Sequence, residues 1–174
     1  MEQLMLLDGK NYDENMTELV RVAVRGIIFI GEKMLLIEDS KGEVKLPGGG
    51  QNKGESDRDT LIREVREETG RTVIPETIRP FGYIEEKRKS LHENMIFHQF
   101  SRLYFCEVTN ERADTAFSDN EKNHGMSSIL CSLDEAIKKN HTMLENIGEL
   151  AWNQREYKTL LLIKQYLERQ QPQK

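Results

Sequence analysis

Apolar positions in this chain cluster in short β-branched runs through the first half and in a helical stripe near the end. Residues 20–30 (VRVAVRGIIFI) form one such run, closed by a turn at Gly31-Glu32-Lys33. Residues 34–38 (MLLIE) follow at hairpin distance, so the pair predicts two adjacent strands. A second turn, Asp39-Ser40-Lys41-Gly42, leads to a short apolar piece from Val44 to Leu46 and then to Pro47-Gly48-Gly49-Gly50. Residues 57–69 predict a helix, with Ser56 or Asp57 as cap, acidic residues in the first turn and Gly70 as the stop. Strands are expected at 78–86, 95–108 and 127–131, with 109–125 a polar surface loop. Ser132-Leu133-Asp134-Glu135 has the form of a capping box opening a helix. The last predicted helix, 153–169, carries a stripe of Leu160, Leu161, Ile163, Tyr166 and Leu167 that docks on the core. Hairpin-linked strands with a few helices predict an α+β class with a mixed sheet. With no GxGxxG and no regular βαβ alternation, nothing points to a Rossmann fold.

Length fits a single domain spanning 1–174, with 1–18 read as an N-terminal extension. A formal charge of -5 speaks against sequence-independent nucleic-acid binding, which needs a basic face. It leaves a small phosphorylated ligand open, because a bound metal inverts the local charge. Cys106 and Cys131 sit inside apolar runs without CxxC spacing, as buried reduced thiols do. Residues 1–10 lack the pattern of a signal peptide, and no apolar run approaches the roughly 20 residues of a membrane span. A cytoplasmic, membrane-free protein is the expectation.

Chemistry concentrates in residues 47–70, PGGGQNKGESDRDTLIREVREETG. On a helix, Glu64, Glu67 and Glu68 stand at i, i+3 and i+4 and share a face, where like charges repel. Leu61, Ile62 and Val65 form the adjoining face that packs on a sheet, and Arg63 lies beside Glu67 to offset the repulsion. Carboxylates clustered on a helix held by a core suit a hard divalent cation with oxygen ligands. REVREE taken alone reads better as an ordinary solvated acidic helix.

The longer segment resembles the signature box of the Nudix hydrolases, GX5EX7REUXEEXGU with U aliphatic. Gly49, Glu55, Arg63, Glu64, Val65, Glu67, Glu68 and Gly70 match at the family spacing. A chance match of those eight positions in a chain of this length is roughly one in a hundred thousand or rarer. Arg71 is the one departure, standing where an aliphatic residue is expected, with Val73 two residues later. The resemblance implies a mixed sheet sandwiched between helices. It also implies Mg²⁺-dependent attack of water on a diphosphate, with Mn²⁺ as an alternative metal. By carry-over Glu64, Glu67 and Glu68 hold metal with the Gly49 carbonyl, Arg63 orients the glutamates, and Glu55 is a second partner of Arg63. Glu64, Glu67 and Arg63 are the catalytic candidates. Family members differ in the general base, and Glu121 is the candidate from a later loop. The ligand implied is a small nucleotide-like molecule: a nucleoside triphosphate, a nucleotide sugar or a damaged nucleotide. Residues 86–88 (EKR) match neither the ADP-ribose nor the dinucleoside-polyphosphate marker.

Arg21 and Arg25 alternate with valines on one strand face, placed either to reach substrate phosphates or to be solvated at a strand edge. His98 reads as a partly buried, hydrogen-bonded side chain, and His92, His124 and His141 lack partners at ligand spacing. Phe81, Tyr83, Phe97 and Tyr104 read mainly as core. The competing function is a nucleotide-sensing binder that lacks hydrolysis, for which the clustered acidic repulsion has no use. Strand edges and the last helix are compatible with a homodimer.

Overall fold

The β-branched run with alternating arginines in Glu18–Ile27 makes a strand whose first half is largely exposed and whose second half, from Ala23 to Ile27, is buried on both faces, and this strand organises the molecule. The computed structural model of the chain describes residues 1–91, 93–147 and 151–170, without the side chains of 147, 151 and 152. In chain order the strands are β1 (Gln3–Asp8), β2 (Glu18–Ile27), β3 (Phe29–Ile30), β4 (Lys33–Glu38), β5 (Val44–Lys45), β6 (Gly48–Gly50), β7 (Arg79–Lys89), β8 (Ile96–Phe105) and β9 (Ser127–Cys131). The helices are α1 (Asp57–Thr69), α2 (Asp119–Asn123), α3 (Leu133–Ile147) and α4 (Ala151–Gln170), with a 3₁₀ turn at Pro75–Thr77.

Five strands form a mixed sheet in the order β1-β7-β8-β2-β6. Pairs β1/β7 and β2/β8 run parallel, whereas β7/β8 and β2/β6 run antiparallel. A second, smaller sheet has β4 at its centre, paired with β3, β5 and β9. Helix α1 packs Leu61 and Val65 with Val24, Ile28, Leu35 and Val73. The larger core cluster joins Ile27, Met34, Leu36, Ile84 and Leu103 to Ala136 of α3 and to Leu160 and Ile163 of α4. This is the mixed-sheet sandwich the residues predict. Among the described residues no helix is long and apolar enough to cross a membrane.

Several local expectations need correction. The run 20–30 is not one strand: β2 ends at Ile27, and β3 pairs in the other sheet. Ile28, fully buried between them, accepts the Leu35 N–H at 2.9 Å. Part of the stretch read as an extension is β1, parallel to β7. The presumed loop 109–125 contains α2, opened by a capping box in which Ser118 and Glu121 bond reciprocally. On α4, Leu162 rather than Leu161 joins the larger core cluster, and Tyr166 stays partly exposed. Cys106 and Cys131 are free and buried, and burial pushes the Cys106 thiol up to about 12. His92 lies outside the described residues.

Candidate active site

Local chemistry fixes α1 at both ends. The Ser56 hydroxyl accepts from Asp59 N–H at 3.1 Å, and Asp59 takes the Ser56 N–H in return at 3.3 Å. Gly70 closes the helix at φ +70°, with its N–H donating to Arg66. Asp57, in the first turn, accepts from Arg102 at 2.7 Å and Tyr104 at 2.5 Å, which clamps the helix start to β8. The glycines ahead of it are needed for space. A Cβ on Gly48, whose φ is +138°, would fall 2.1 Å from the Val24 carbonyl oxygen. One on Gly49 would fall 2.4 Å from Glu64 Oε2, so that carboxylate lies directly on bare backbone.

Arg63 is the hub. Its Nε and Nη2 grip Glu55 at 2.7 and 2.8 Å, and Nη2 also donates to the Gly50 carbonyl at 3.1 Å. Nη1 reaches Glu64 Oε1 at 2.6 Å and Glu67 Oε2 at 3.3 Å. Glu55, above all, holds the guanidinium's pKa above its ordinary value, and Arg63 holds the Glu55 carboxyl well below the usual range. Glu64 Oε2 and Glu67 Oε1 are left without a protein partner among the described residues.

Glu68 behaves differently. Its carboxylate is 1% exposed and accepts from Lys45 Nζ at 2.9 Å and Gly48 N–H at 2.6 Å. Burial, opposed by Lys45 and the Gly48 amide, leaves its pKa above the ordinary value. Glu121 comes from α2, and its Oε2 accepts from the Ser118 amide at 2.8 Å and hydroxyl at 2.7 Å. Burial opposes its charge, but Ser118, Lys45 and a hydrogen bond shared with Glu68 bring its pKa down.

These groups meet at a polar cleft of about 790 Å³ lined by Gly48–Gly50, Glu64, Glu67, Arg63 and Glu121. Arg21 and Arg25 line it too, as the alternation predicts. They differ in state. Arg21 is exposed and makes no ion pair among the described residues. Arg25 is buried and donates to the carbonyls of Leu46 at 3.0 Å and Gly48 at 3.3 Å, so the reading of a solvated charge at a strand edge is wrong for it. The reason is topological: β2 lies inside the sheet, between β8 and β6.

Sequence reasoning passed over three contributors. Lys45 bridges to Glu68, Arg88 lies over the Phe97 ring at 4.4 Å, and Arg155 of α4 is buried against Glu86 at 2.5 Å and Glu156 at 2.9 Å. Burial opposes the charges on Arg155 and Glu156, yet their mutual attraction, with Glu86 and Arg25, favours both ions. Lys45, two residues before the Pro47-Gly48 step, is the one a local signal marks; the others converge only in three dimensions. His98 is bonded at both nitrogens, to Glu18 and to Glu85, away from the box, as a partly buried and partnered side chain should be. Arg71, at the departing box position, donates to the carbonyls of Thr109 and Asn110, while Val73 fills the core beside it.

The NUDIX domain profile matches residues 19–152, more than three quarters of the chain. This chain belongs to the Nudix family. Its fold resembles the NUDIX hydrolase from Nitrosomonas europaea, at TM-score 0.56 and 20% identity, covering 79% of this chain and 85% of that one. It also resembles the MutT NUDIX hydrolase from Burkholderia pseudomallei, at TM-score 0.52 and 20% identity, covering 67% and 85%. Among curated proteins, the "Putative ADP-ribose pyrophosphatase YjhB" of Bacillus subtilis (strain 168) is 26% identical over 98 residues. That match takes in 56% of this chain and 46% of the relative, so the chain spans about half the length of that protein.

The Nudix box can be tested against the divalent metal its family uses. Among the described residues, no three acidic or imidazole side chains converge closely enough to enclose an ion unaided. Mg²⁺ does not require this, since it takes one or two carboxylates and completes its shell with waters and phosphate oxygens. The free oxygens of Glu64 and Glu67 beside the Gly49 backbone fit that demand. Glu68 fits less directly, because Lys45 and Gly48 already occupy its oxygens.

Proposed function

We propose that the cleft hydrolyses a diphosphate bond in a small nucleotide-like substrate with Mg²⁺, or Mn²⁺ in its place. The observation that carries this reading is the Arg63 hub, which steadies Glu64 and Glu67 yet leaves each with an oxygen free toward the cleft. Glu64, Glu67 and the Gly49 backbone would hold the cation, with Glu68 joining when it exchanges Lys45 for metal. A bound divalent ion supplies charge neutralisation at phosphoryl oxygens and a more acidic water.

The chain's own residues do the rest. Arg63, fixed by Glu55 and the Gly50 carbonyl, keeps two repelling glutamates at fixed positions. Arg21, without an ionic partner among the described residues, offers its fork to a phosphate, and Lys45 adds a second cation beside Glu68. Arg25 holds the carbonyls of Leu46 and Gly48 and so sets the course of the glycine run. Glu121, outside the metal-holding set but lining the same cleft, accepts the proton of the attacking water.

The test is a phosphate-release panel of nucleoside triphosphates, nucleotide sugars, ADP-ribose and dinucleoside polyphosphates, run with Mg²⁺, Mn²⁺ or EDTA and coupled to a pyrophosphatase for pyrophosphate and a phosphatase for monophosphate products. The Bacillus subtilis relative's name puts ADP-ribose on that panel, although this chain lacks the corresponding marker at 86–88. Turnover of one class that EDTA abolishes is the expected result. Silence across the panel with both metals would overturn hydrolysis in favour of a nucleotide-sensing binder.

A further inference from the structure

Beyond Lys45 the cleft shares Arg25, Arg155 and Met126 with a recess of about 250 Å³, walled by the turn between β4 and β5, by α2 and by α4. Glu43 stands in this wall. It is 4% exposed, and neither carboxyl oxygen has a hydrogen-bond partner among the described residues. Arg25, in the same wall, has a buried Nε equally without an acceptor among the described residues. Buried polar groups are nearly always paired, so a matched set of orphans around one recess calls for a ligand.

Backbone pairing keeps Glu43 where it is. Its N–H donates to Asp39 Oδ1 at 3.0 Å, and its carbonyl accepts the Asp39 N–H at 3.0 Å. The next residue, Val44, is clasped by the Asn140 side chain at N–H (2.9 Å) and carbonyl (2.8 Å). These bonds fix the backbone from which the Glu43 side chain projects.

We infer that Glu43 is a specificity-determining residue that binds a vicinal pair of substrate hydroxyls, with Arg25 Nε donating to one hydroxyl oxygen. The inference rests on the diphosphate reading, because the recess is placed relative to where the phosphates would lie. A diol suits this wall better than the amino edge of a purine. Each hydroxyl both donates and accepts, so the pair fits Glu43 with or without its proton. Burial first, then Glu156 and Asp39, pushes that carboxyl up to about 8, so both forms occur near neutrality. Guanine's two N–H donors fit only the ionised form, and adenine's donor–acceptor edge only the protonated one. Among the described residues the recess also lacks a platform for a base. Its apolar wall is Ile37, Val44 and Met126, and its imidazole, His124, is tied to the Asn120 carbonyl at 2.7 Å.

Such a diol comes either from the nucleoside ribose or from a sugar joined through the diphosphate, and three nucleotides separate the sources. dTDP-glucose carries the diol on the sugar alone, UTP on the nucleoside alone, and dTTP on neither. The whole chain and its Glu43→Met and Glu43→Gln variants are compared by kcat/KM and by calorimetric binding. Methionine keeps the length but removes hydrogen bonding; glutamine keeps a donor and an acceptor. Wild type should prefer at least one diol-bearing nucleotide to dTTP, which tests the inference without any variant. Glu43→Met should lower that preference by roughly 10- to 100-fold, with most of it restored in Glu43→Gln. Loss on dTDP-glucose identifies the sugar, and loss on UTP the ribose. An equal change on all three nucleotides, or none, overturns the inference. Selective binding through Glu43 without hydrolysis would defeat the hydrolytic reading alone. Hydrolysis indifferent to Glu43 would defeat the subsite alone.

Discussion

Two groups of charged side chains lie side by side in this protein and are built on opposite terms. The box cluster comes from one stretch, 49–71, is half-exposed, and leaves carboxylate oxygens free toward a cleft. The other joins Arg25, Glu86, Arg155 and Glu156, from two strands and a helix far apart in sequence, and all four are buried. Exposed ion pairs are worth about 0–1 kcal/mol and exchange partners readily, which a catalytic surface needs. Breaking a buried pair strands a charge and costs about 3–5 kcal/mol, which suits a scaffold that fixes α4 against the sheet. Under the proposed function the same residue types serve chemistry in one place and architecture in the other, and burial separates most of them.

Glu68 tests the division, since it belongs to the box by sequence and to the scaffold by burial. Glu68→Gln should lower kcat by about a hundredfold or more while the melting temperature moves only a few degrees. Steady-state rates and a thermal melt on one sample decide; near wild-type turnover would assign Glu68 to the scaffold. Arg155→Met, which leaves Glu86 with Arg88 and Glu156 with Arg25 as ionic partners, should cost about 3 kcal/mol in urea denaturation, the low end for a broken buried pair. A loss below about 1 kcal/mol would mean that α4 is held by its leucines alone.

A smaller effect comes from Glu43, whose pKa rises from an ordinary 4.5 to about 8 on folding. Below the unfolded value both states are protonated, and the burial of a charge costs nothing. As pH rises toward the folded value, the unfolded chain ionises first, so this residue's contribution to stability is progressively lost. Glutamine does not titrate, so the melting temperature of Glu43→Gln should gain on wild type between pH 5 and pH 8. A gap that stays constant or narrows contradicts the assignment. The smallest change is expected for Arg71→Val at the box's departing position, with turnover within a few-fold of wild type. Its stability should stay within about 0.5 kcal/mol, because Val73 already supplies the packing.

What could be read from the residues follows from how local each signal is. Helix α1, its Ser56 cap, its Gly70 stop and the matching box positions are all set within one short stretch, so they were legible together. Strand β1 was not, because its partner β7 lies about eighty residues away and parallel pairing leaves no turn between them. Helix α2 was hidden in a polar segment even though Ser118-Asp119-Asn120-Glu121 repeats the capping pattern recognised at Ser132-Leu133-Asp134-Glu135. Alternation placed Arg21 and Arg25 on one face, yet only the strand order shows that Arg25 is sealed in. Glu43 and Arg155 carry no local mark at all, because their roles depend on a turn and a helix meeting beside β2.

The most direct test of the central claim compares wild type with Glu64→Gln on the best substrate of the panel. Wild-type turnover should vanish with EDTA and return with Mg²⁺. Glu64→Gln at saturating Mg²⁺ should lose about a hundredfold or more in kcat/KM while melting like wild type. Metal-independent turnover, or wild-type turnover by Glu64→Gln, would contradict the account.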